Sequence, residues 1–303
     1  MFPAATYATV AEHGCGLLGP REDGKLLVSG SDAAGLLDGQ LSNAIADLEP
    51  GQGCAATLLT GKGKMLALVR VARQQDGYLL VTDRPSLQAL FDRLREAALG
   101  WDAEIGKRTL ELARIELIGP ASEAVAATAG YAVPGPELHA CTTDALRTED
   151  GIEVYVPAGD EDAARAALLH AGALPAGADL AELLRIEAGR PAWGRELTED
   201  VMPEEAGLTD AAVSFTKGCY VGQETVARLH WKGRPNRHLR QLRLGAPAQA
   251  GTVITDAAGE RELGRITSAA ESPRLGPIGL ALLRREATPG DTVLAGGTPA
   301  TVT

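Results

Sequence analysis

Residues 55–82 read AATLLTGKGKMLALVRVARQQDGYLLVT, and this stretch decides the fold class. Three strand-like runs, at 55–60, 65–73 and 78–82, are separated by turns at Gly61-Lys62-Gly63 and Asp76-Gly77. Short apolar runs bounded by glycine turns predict consecutive antiparallel strands. The sequence therefore predicts an antiparallel meander near the start of the chain.

Helical patterns flank this meander, and a second strand-rich region ends the chain. Leucines 36, 37 and 41 share one face before it, and a helix is predicted to open at Pro85 after it. Further segments predict strands at 110–118 and 152–156 and helices at 122–128, from Asp160, and at 180–188. From Leu239 onward short strands alternate with Gly/Pro turns, which predicts a small β-barrel. The predicted class is α+β with antiparallel sheets.

Composition limits the function classes. The chain has 303 residues, enough for two or three domains at about 150 residues each. Its net charge of −11 disfavours general nucleic-acid coating. The four cysteines, 15, 54, 141 and 219, form no C-x-x-C pair, so reduced thiols and no metal site are expected. No signal peptide or apolar run of about 20 residues is evident, so a cytoplasmic protein without membrane association is predicted.

Residues 14–19, Gly-Cys-Gly-Leu-Leu-Gly, match the G-x-G-x-x-G pattern. A dinucleotide site requires a strand before this pattern and a helix after it. Here Pro20 and a turn at 21–24 follow instead. The segment is therefore interpreted as an N-terminal loop.

Residues 217–224, Lys-Gly-Cys-Tyr-Val-Gly-Gln-Glu, carry the clearest chemical signal. Lys217 stands two residues before Cys219, and a nearby ammonium favours the thiolate. A reactive thiol and a buried small hydrophobe at a turn are both open at this point. Residues 225–255 follow with six arginines and lysines and no acid, a pattern typical of an anion-binding segment or of a solvated linker and strand edge.

The 217–224 motif resembles the signature of the YgfZ folate-binding proteins, which are relatives of the glycine-cleavage T-protein (GcvT, aminomethyltransferase). Residues 29–33, 147–157 (RTEDGIEVYVP), 185–194 (RIEAGRPAWG) and 203–208 agree with the superfamily in the same order. The resemblance implies a GcvT-like three-domain ring around a tetrahydrofolate site, with two interleaved domains. They would comprise 1–49 plus 108–179 and 50–107 plus 180–236, followed by a barrel at 237–303.

The resemblance also implies roles for particular residues. Glu153 matches the carboxylate that binds the pterin, with Glu149 as a competitor, and Arg185 matches an arginine that helps to hold folate. Residues beside Glu153, at 152 and 154, are expected to face the core. Tyr220 is a candidate folate contact, and Cys219, with Lys217, is the candidate functional thiol. For Arg185 the alternative is a surface side chain lying over apolar neighbours.

One departure bears on activity. T-proteins carry acidic residues after the glycine turn, whereas Ala67 and Leu68 stand at those positions here. Neither can move a proton, which argues against aminomethyltransferase activity. The resemblance then implies a tetrahydrofolate-binding accessory protein that supports assembly or repair of iron–sulfur enzymes and, through them, tRNA modification. The alternatives are a folate-dependent aminomethyltransferase or demethylase, and a module that binds tRNA or protein through the basic segment; direct tRNA binding is disfavoured by the net charge.

Overall fold

The computed structural model describes residues 4–19 and 23–303. They divide into two compact units. The first unit comprises the described residues up to 60, with 66–181 and 211–221; the second comprises 61–65, 182–210 and 222–303. No helix in the described ranges combines the length and the apolar character needed to cross a membrane.

The first unit contains two five-stranded sheets. Its strands are β1 (Gly16–Leu18), β2 (Asp23–Ser29), β3 (Gly53–Leu59), β4 (Met65–Gln74), β5 (Gly77–Asp83), β6 (Glu104–Lys107), β7 (Leu112–Ile118), β8 (Ala145–Arg147), β9 (Gly151–Pro157) and β10 (Leu174–Ala176). The first sheet has the order β10-β1-β7-β9-β8 and the second β3-β4-β5-β2-β6. The second sheet confirms the predicted meander, since β3, β4 and β5 are neighbours in it.

Helices pack against both sheets of this unit. The helices up to the end of this unit are α1 (Ala4–Glu12), α2 (Ala33–Gln40), α3 (Leu87–Ala97), α4 (Ser122–Thr128), α5 (Glu161–His170) and α6 (Ala178–Glu187), of which α6 continues into the second unit. Leu37 of α2 and Leu90 of α3 share a core with Val69 of the second sheet. Val125 of α4 and Leu168 of α5 share another with Val154 of the first sheet.

The two sheets also pack against each other, through the faces opposite these two cores. Ala72 and Val81 of the second sheet share a cluster with Leu146 and Tyr155 of the first. Strand β9 is therefore buried on both faces: its residues 152 and 154 join the helix-side core, as predicted. Because side chains alternate along a strand, Glu153 faces the second sheet.

Two expectations differ from the structure near the N-terminus. The interpretation of residues 14–19 as a loop is wrong, because β1 lies between β7 and β10 in the first sheet and is fully buried. Pro20, Arg21 and Glu22 of the expected turn lie outside the described residues, and Asp23 already begins β2. A strand of three residues is too short to leave a periodic signal.

The predicted boundary at residue 49 does not coincide with the change of sheet. Strand β1 pairs with β7 and β10, whereas β2 pairs with β5 and β6. The chain therefore crosses from one sheet to the other between residues 18 and 23. The reason is long-range pairing: Leu26 of β2 lies opposite Leu80 of β5, and both are buried.

The second unit contains a closed barrel. The short helix α7 (Thr209–Ala212) lies where the two units meet in sequence, and helix α8 (Gln223–Lys232) precedes the barrel. The barrel strands are β11 (Arg237–Leu244), β12 (Val253–Thr255), β13 (Glu262–Ser272), β14 (Gly276–Arg284), β15 (Thr292–Ala295) and β16 (Thr298–Val302). The barrel order is β11-β14-β13-β12-β15-β16. Leu242, Ile266 and Val302 fill its interior. This confirms the predicted α+β class with a C-terminal barrel, while α8 is an element that the sequence patterns did not predict.

Candidate functional site

The carboxylate of Glu153 lies between the two sheets of the first unit. Its Oε1 accepts hydrogen bonds from Nη1 of Arg70 and Nη1 of Arg114, both at 2.6 Å. Its Oε2 accepts a hydrogen bond from the hydroxyl of Tyr155 at 2.6 Å. The Glu153 side chain is 0% exposed. A buried carboxylate needs such partners, because desolvation without them costs several kcal/mol.

The ion pairs continue beyond Glu153. Nε of Arg114 lies 2.9 Å from Oδ2 of Asp23, and Nζ of Lys25 donates to Oδ1 of the same carboxylate at 2.6 Å. The inter-sheet cluster contains three acids and three bases, so its formal charge is balanced: Asp23, Glu116, Glu153, Lys25, Arg70 and Arg114. Only Arg70 reaches the surface appreciably, with 23% of its side chain exposed.

The cluster holds Glu153 in its charged form. Burial alone would raise the pKa of Glu153, but the charges of Arg114 and Arg70 and the hydrogen bond from Tyr155 lower it to about 2. Burial and the neighbouring carboxylate raise the pKa of Tyr155 well above its ordinary value. Tyr155 therefore remains a hydrogen-bond donor to an ionised Glu153 at neutral pH.

This arrangement bears on pterin binding. Oε1 of Glu153 already accepts two hydrogen bonds and Oε2 accepts one, and the side chain is fully buried, so a pterin could reach this carboxylate only if the surrounding side chains moved. Glu149, in the turn before β9, is exposed. Of the two glutamates in the 147–157 motif, Glu149 is the accessible one.

Lys217 is held at the C-terminal end of α2. Its Nζ donates to the carbonyl oxygens of Leu41 and Asn43, each at 2.9 Å, and to that of Asp38, whose carboxylate oxygen Oδ1 lies 3.3 Å away. The side chain is 3% exposed. Burial lowers the pKa of Lys217 although Asp38 opposes it. A cation at this end of a helix is favourable because the last carbonyls of the helix lack partners.

Activation of the Cys219 thiol by Lys217 stays a prediction, because these contacts direct the ammonium of Lys217 elsewhere. The ammonium donates to the end of α2 and lies 5.2 Å from the centroid of the Tyr220 ring. Its three N–H groups are matched by three carbonyl oxygens, which is why it turns inward. Lys217 instead anchors the loop that carries Cys219.

The four cysteines differ in accessibility. Cys219 is exposed, Cys54 is half-buried, and Cys15 and Cys141 are buried. Burial raises the pKa of Cys15 to about 11 and that of Cys54 to about 12, and it also raises the pKa of Cys141. Thiolate character and access both favour reaction, so Cys219 is the thiol that a partner can reach.

Tyr220 follows Cys219 and turns into the protein. The residue is 7% exposed, and its hydroxyl has no hydrogen-bond partner among residues 4–19 and 23–303. Burial raises the pKa of Tyr220 to about 12, so the hydroxyl stays protonated. A buried donor without an acceptor costs about 1–3 kcal/mol, and a bound acceptor would remove that cost.

Arg185 lies on α6 in the second unit, inside a polar network. Its guanidinium donates to Glu182 at 2.7 Å, Glu196 at 2.9 Å and the Ser268 hydroxyl at 2.7 Å, and also to the carbonyl of Arg190. Burial would lower the pKa of Arg185, but Glu182 and Glu196 raise it overall. Arg185 joins α6 to the barrel strand β13, and at 13% exposed it is not the surface side chain of the alternative.

Comparisons with known proteins agree with this architecture. Residues 6–133 match the GCVT N-terminal domain, and residues 237–303 match the CAF17 C-terminal β-barrel domain. The aminomethyltransferase of Geobacillus thermodenitrificans is 32% identical over 294 residues, which cover 89% of this chain and 79% of that protein. The chain belongs to the aminomethyltransferase (T-protein) family.

Two further proteins are similar to this chain over 90% or more of its length. The crystal structure of the glycine cleavage system aminomethyltransferase T from Bartonella henselae superimposes with a TM-score of 0.87 and 27% identity, covering 99% of this chain and 87% of that one. A chloroplast protein of Arabidopsis thaliana, named as a transferase, is 29% identical over 290 residues, which cover 90% of this chain and 66% of that protein. The CAF17-type barrel confirms the expected resemblance to YgfZ-type members.

The positions expected to carry the catalytic acids of a T-protein lie on β4. Ala67 is fully buried in the core between the second sheet and its helices. Leu68 is half-buried, and its carbonyl accepts a hydrogen bond from the Thr82 hydroxyl. This member of the family therefore has hydrocarbon side chains at both positions.

Proposed function

We propose that this family member binds a reduced folate and uses Cys219 to support iron–sulfur enzymes, and through them tRNA modification. One observation carries the proposal: the cysteine of the 217–224 motif is exposed while the other three are half-buried or buried. The anchoring of its loop by Lys217 and the CAF17-type barrel support it. A reduced thiol on a surface loop suits the cytoplasm, where we place the protein.

Three residues of the first unit are candidate folate contacts: Tyr220, and Glu149 or Glu153 as alternatives for the pterin. A pterin offers an amino group and a ring N–H side by side, which one carboxylate can accept together. Glu149 is accessible for that role, whereas the fully buried Glu153 could take it only if the surrounding side chains moved. The Tyr220 hydroxyl is a donor that has no acceptor within the described ranges 4–19 and 23–303.

Titration calorimetry with tetrahydrofolate and with folinic acid tests the folate proposal. Glu149→Gln and Glu153→Gln, each compared with the exposed control Glu137→Gln, identify the carboxylate. Loss of one charged hydrogen bond should weaken binding by about 1.5–3 kcal/mol, roughly 10- to 150-fold. Absence of saturable binding to the wild-type protein would reject the proposal, and equal affinities for all three variants would remove both carboxylates from the site.

For the thiol, complementation of cells that lack the protein is the test. Cys219→Ser should fold normally, because the side chain is exposed, but it should fail to restore iron–sulfur enzyme activity. Cys54→Ser is the matched control and should complement. Full complementation by Cys219→Ser would show that the motif is structural.

The second candidate function is aminomethyl transfer, which similarity to aminomethyltransferases favours. Against it stand Ala67 and Leu68, which supply no proton-transferring group. Mixing the protein with the other glycine-cleavage components should yield no methylene-tetrahydrofolate above a control without it. Turnover in that assay would revive this function.

A further inference from the structure

A cavity of about 700 Å³ opens on the barrel, and none of the candidate site residues described above lines it. It is formed where β11 begins, β13 begins and β14 ends, and all its lining residues belong to the second unit. Gly264 forms part of its wall. At its φ of +156°, a Cβ here would lie 2.6 Å from the carbonyl oxygen of Leu282, so this position requires glycine.

The cavity is lined by three arginines and two glutamates: Arg237, Arg284, Arg285, Glu262 and Glu286. Both glutamates are already paired with arginines that do not line it. Oε1 of Glu286 lies 2.7 Å from Nη2 of Arg261, and Oε1 of Glu262 lies 3.0 Å from Nη2 of Arg265. Each glutamate of the cavity therefore forms its ion pair with an arginine outside the cavity lining. The arginines that line the cavity gain correspondingly less compensation from these two glutamates.

The arginines themselves differ in their partners. Nε of Arg237 donates to Glu205 at 3.0 Å, and its Nη2 donates to the carbonyl of Asp200 at 2.6 Å. The pKa of Glu286 is lowered by hydrogen bonds from its own backbone and from Arg261, and the charge of the adjacent Arg285 contributes to the same shift. For Arg284, no side-chain hydrogen bond or ion pair occurs within the described part of the chain.

The strand register adds a second observation. Arg237 and Arg284 are direct partners on β11 and β14, so two cations stand opposite each other in adjacent strands. Like charges in this arrangement are destabilising by themselves. In a chain of net charge −11, a local excess of guanidinium groups around a cavity is an arrangement that an anion would stabilise.

We propose that this cavity binds a multivalent oxyanion, the phosphate or polycarboxylate portion of a small molecule. The planar guanidinium groups of Arg284 and Arg285 would contact its oxygens, since such groups match phosphate and carboxylate geometry with two parallel hydrogen bonds. The inference is independent of folate binding and of Cys219.

Calorimetry on the full-length protein at about 20 mM salt tests it, because screening is weak at that ionic strength. Sodium pyrophosphate probes the phosphate source and triglutamate the polycarboxylate source; the tighter ligand identifies the source. The double variant Arg284→Gln/Arg285→Gln should bind at least tenfold more weakly than wild type. The control Arg243→Gln/Arg274→Gln removes the same charge elsewhere on the barrel and should stay within twofold.

A further variant keeps the test decisive if the double variant folds poorly. Glu286→Gln removes an acid from the cavity and should tighten binding by about threefold. Two results would overturn the proposal: no saturable binding of either probe to wild type, or an equal loss of affinity in the Arg243/Arg274 control. Unchanged or weaker binding by Glu286→Gln would also contradict it.

Discussion

Replacing Glu153 with glutamine preserves the volume of the side chain but removes the negative charge that Arg70 and Arg114 share between the two sheets. The pKa of Glu153 is about 2 in the folded protein, against about 4.3 in an unfolded chain. At 1.36 kcal/mol per pH unit this difference corresponds to about 3 kcal/mol of folding free energy. Breaking a buried ion pair costs about 3–5 kcal/mol in general.

We expect a loss near the lower end of that range, about 3 kcal/mol. The reason is that Arg114 keeps Asp23 at 2.9 Å when Glu153 loses its charge. Chemical denaturation followed by far-ultraviolet circular dichroism at pH 7 measures the loss. The control is Glu123→Gln, whose carboxylate is 52% exposed and pairs with Arg147 at the surface. That control should lose less than about 1 kcal/mol.

The effect should depend on pH in a defined direction. Because the folded-state pKa is depressed, the stabilisation is fully present above the unfolded value of about 4.3 and is lost as the pH falls toward about 2. The wild type and Glu153→Gln should therefore differ most at neutral pH and converge near pH 2. A difference below about 1 kcal/mol at pH 7, or one that persists unchanged to pH 2, would refute the assignment of Glu153 as a buried, paired anion.

Three further expectations concern the 217–221 loop. Lys217→Met should lower the unfolding free energy by about 1–3 kcal/mol, because three carbonyl oxygens lose a charged donor. The same change should speed proteolysis of the loop. The control Lys62→Met, at an exposed turn, should have neither effect. Cys219 should be alkylated at least tenfold faster than Cys141 by N-ethylmaleimide, as read by mass spectrometry, and equal rates would contradict its accessibility. Tyr220→Phe should leave the thermal midpoint of the ligand-free protein unchanged or higher, because it deletes an unpaired buried hydroxyl; a clear decrease would show that the hydroxyl has a partner.

Local patterns in the sequence were sufficient to predict most regular elements. The meander, the helices around it and the barrel strands follow from side-chain periodicity and from glycine turns, which act within a few residues. Strand β1 was missed because three residues carry no period. Helix α8 leaves no clear pattern because Val226 is its buried residue in the described structure, so the segment lacks the apolar stripe that indicates a helix.

The sequence by itself determined the alternation that separates Glu153 from its neighbours 152 and 154 on β9. Only the tertiary structure decided what covers the face of β9 that carries Glu153. It is the second sheet, whose Arg70 stands 83 positions before Glu153 in the chain. The same holds for Lys217, whose carbonyl partners lie 174 to 179 positions away at the end of α2. Periodicity specifies the direction of a side chain relative to its own backbone, whereas burial and charge pairing depend on which distant segment packs against it.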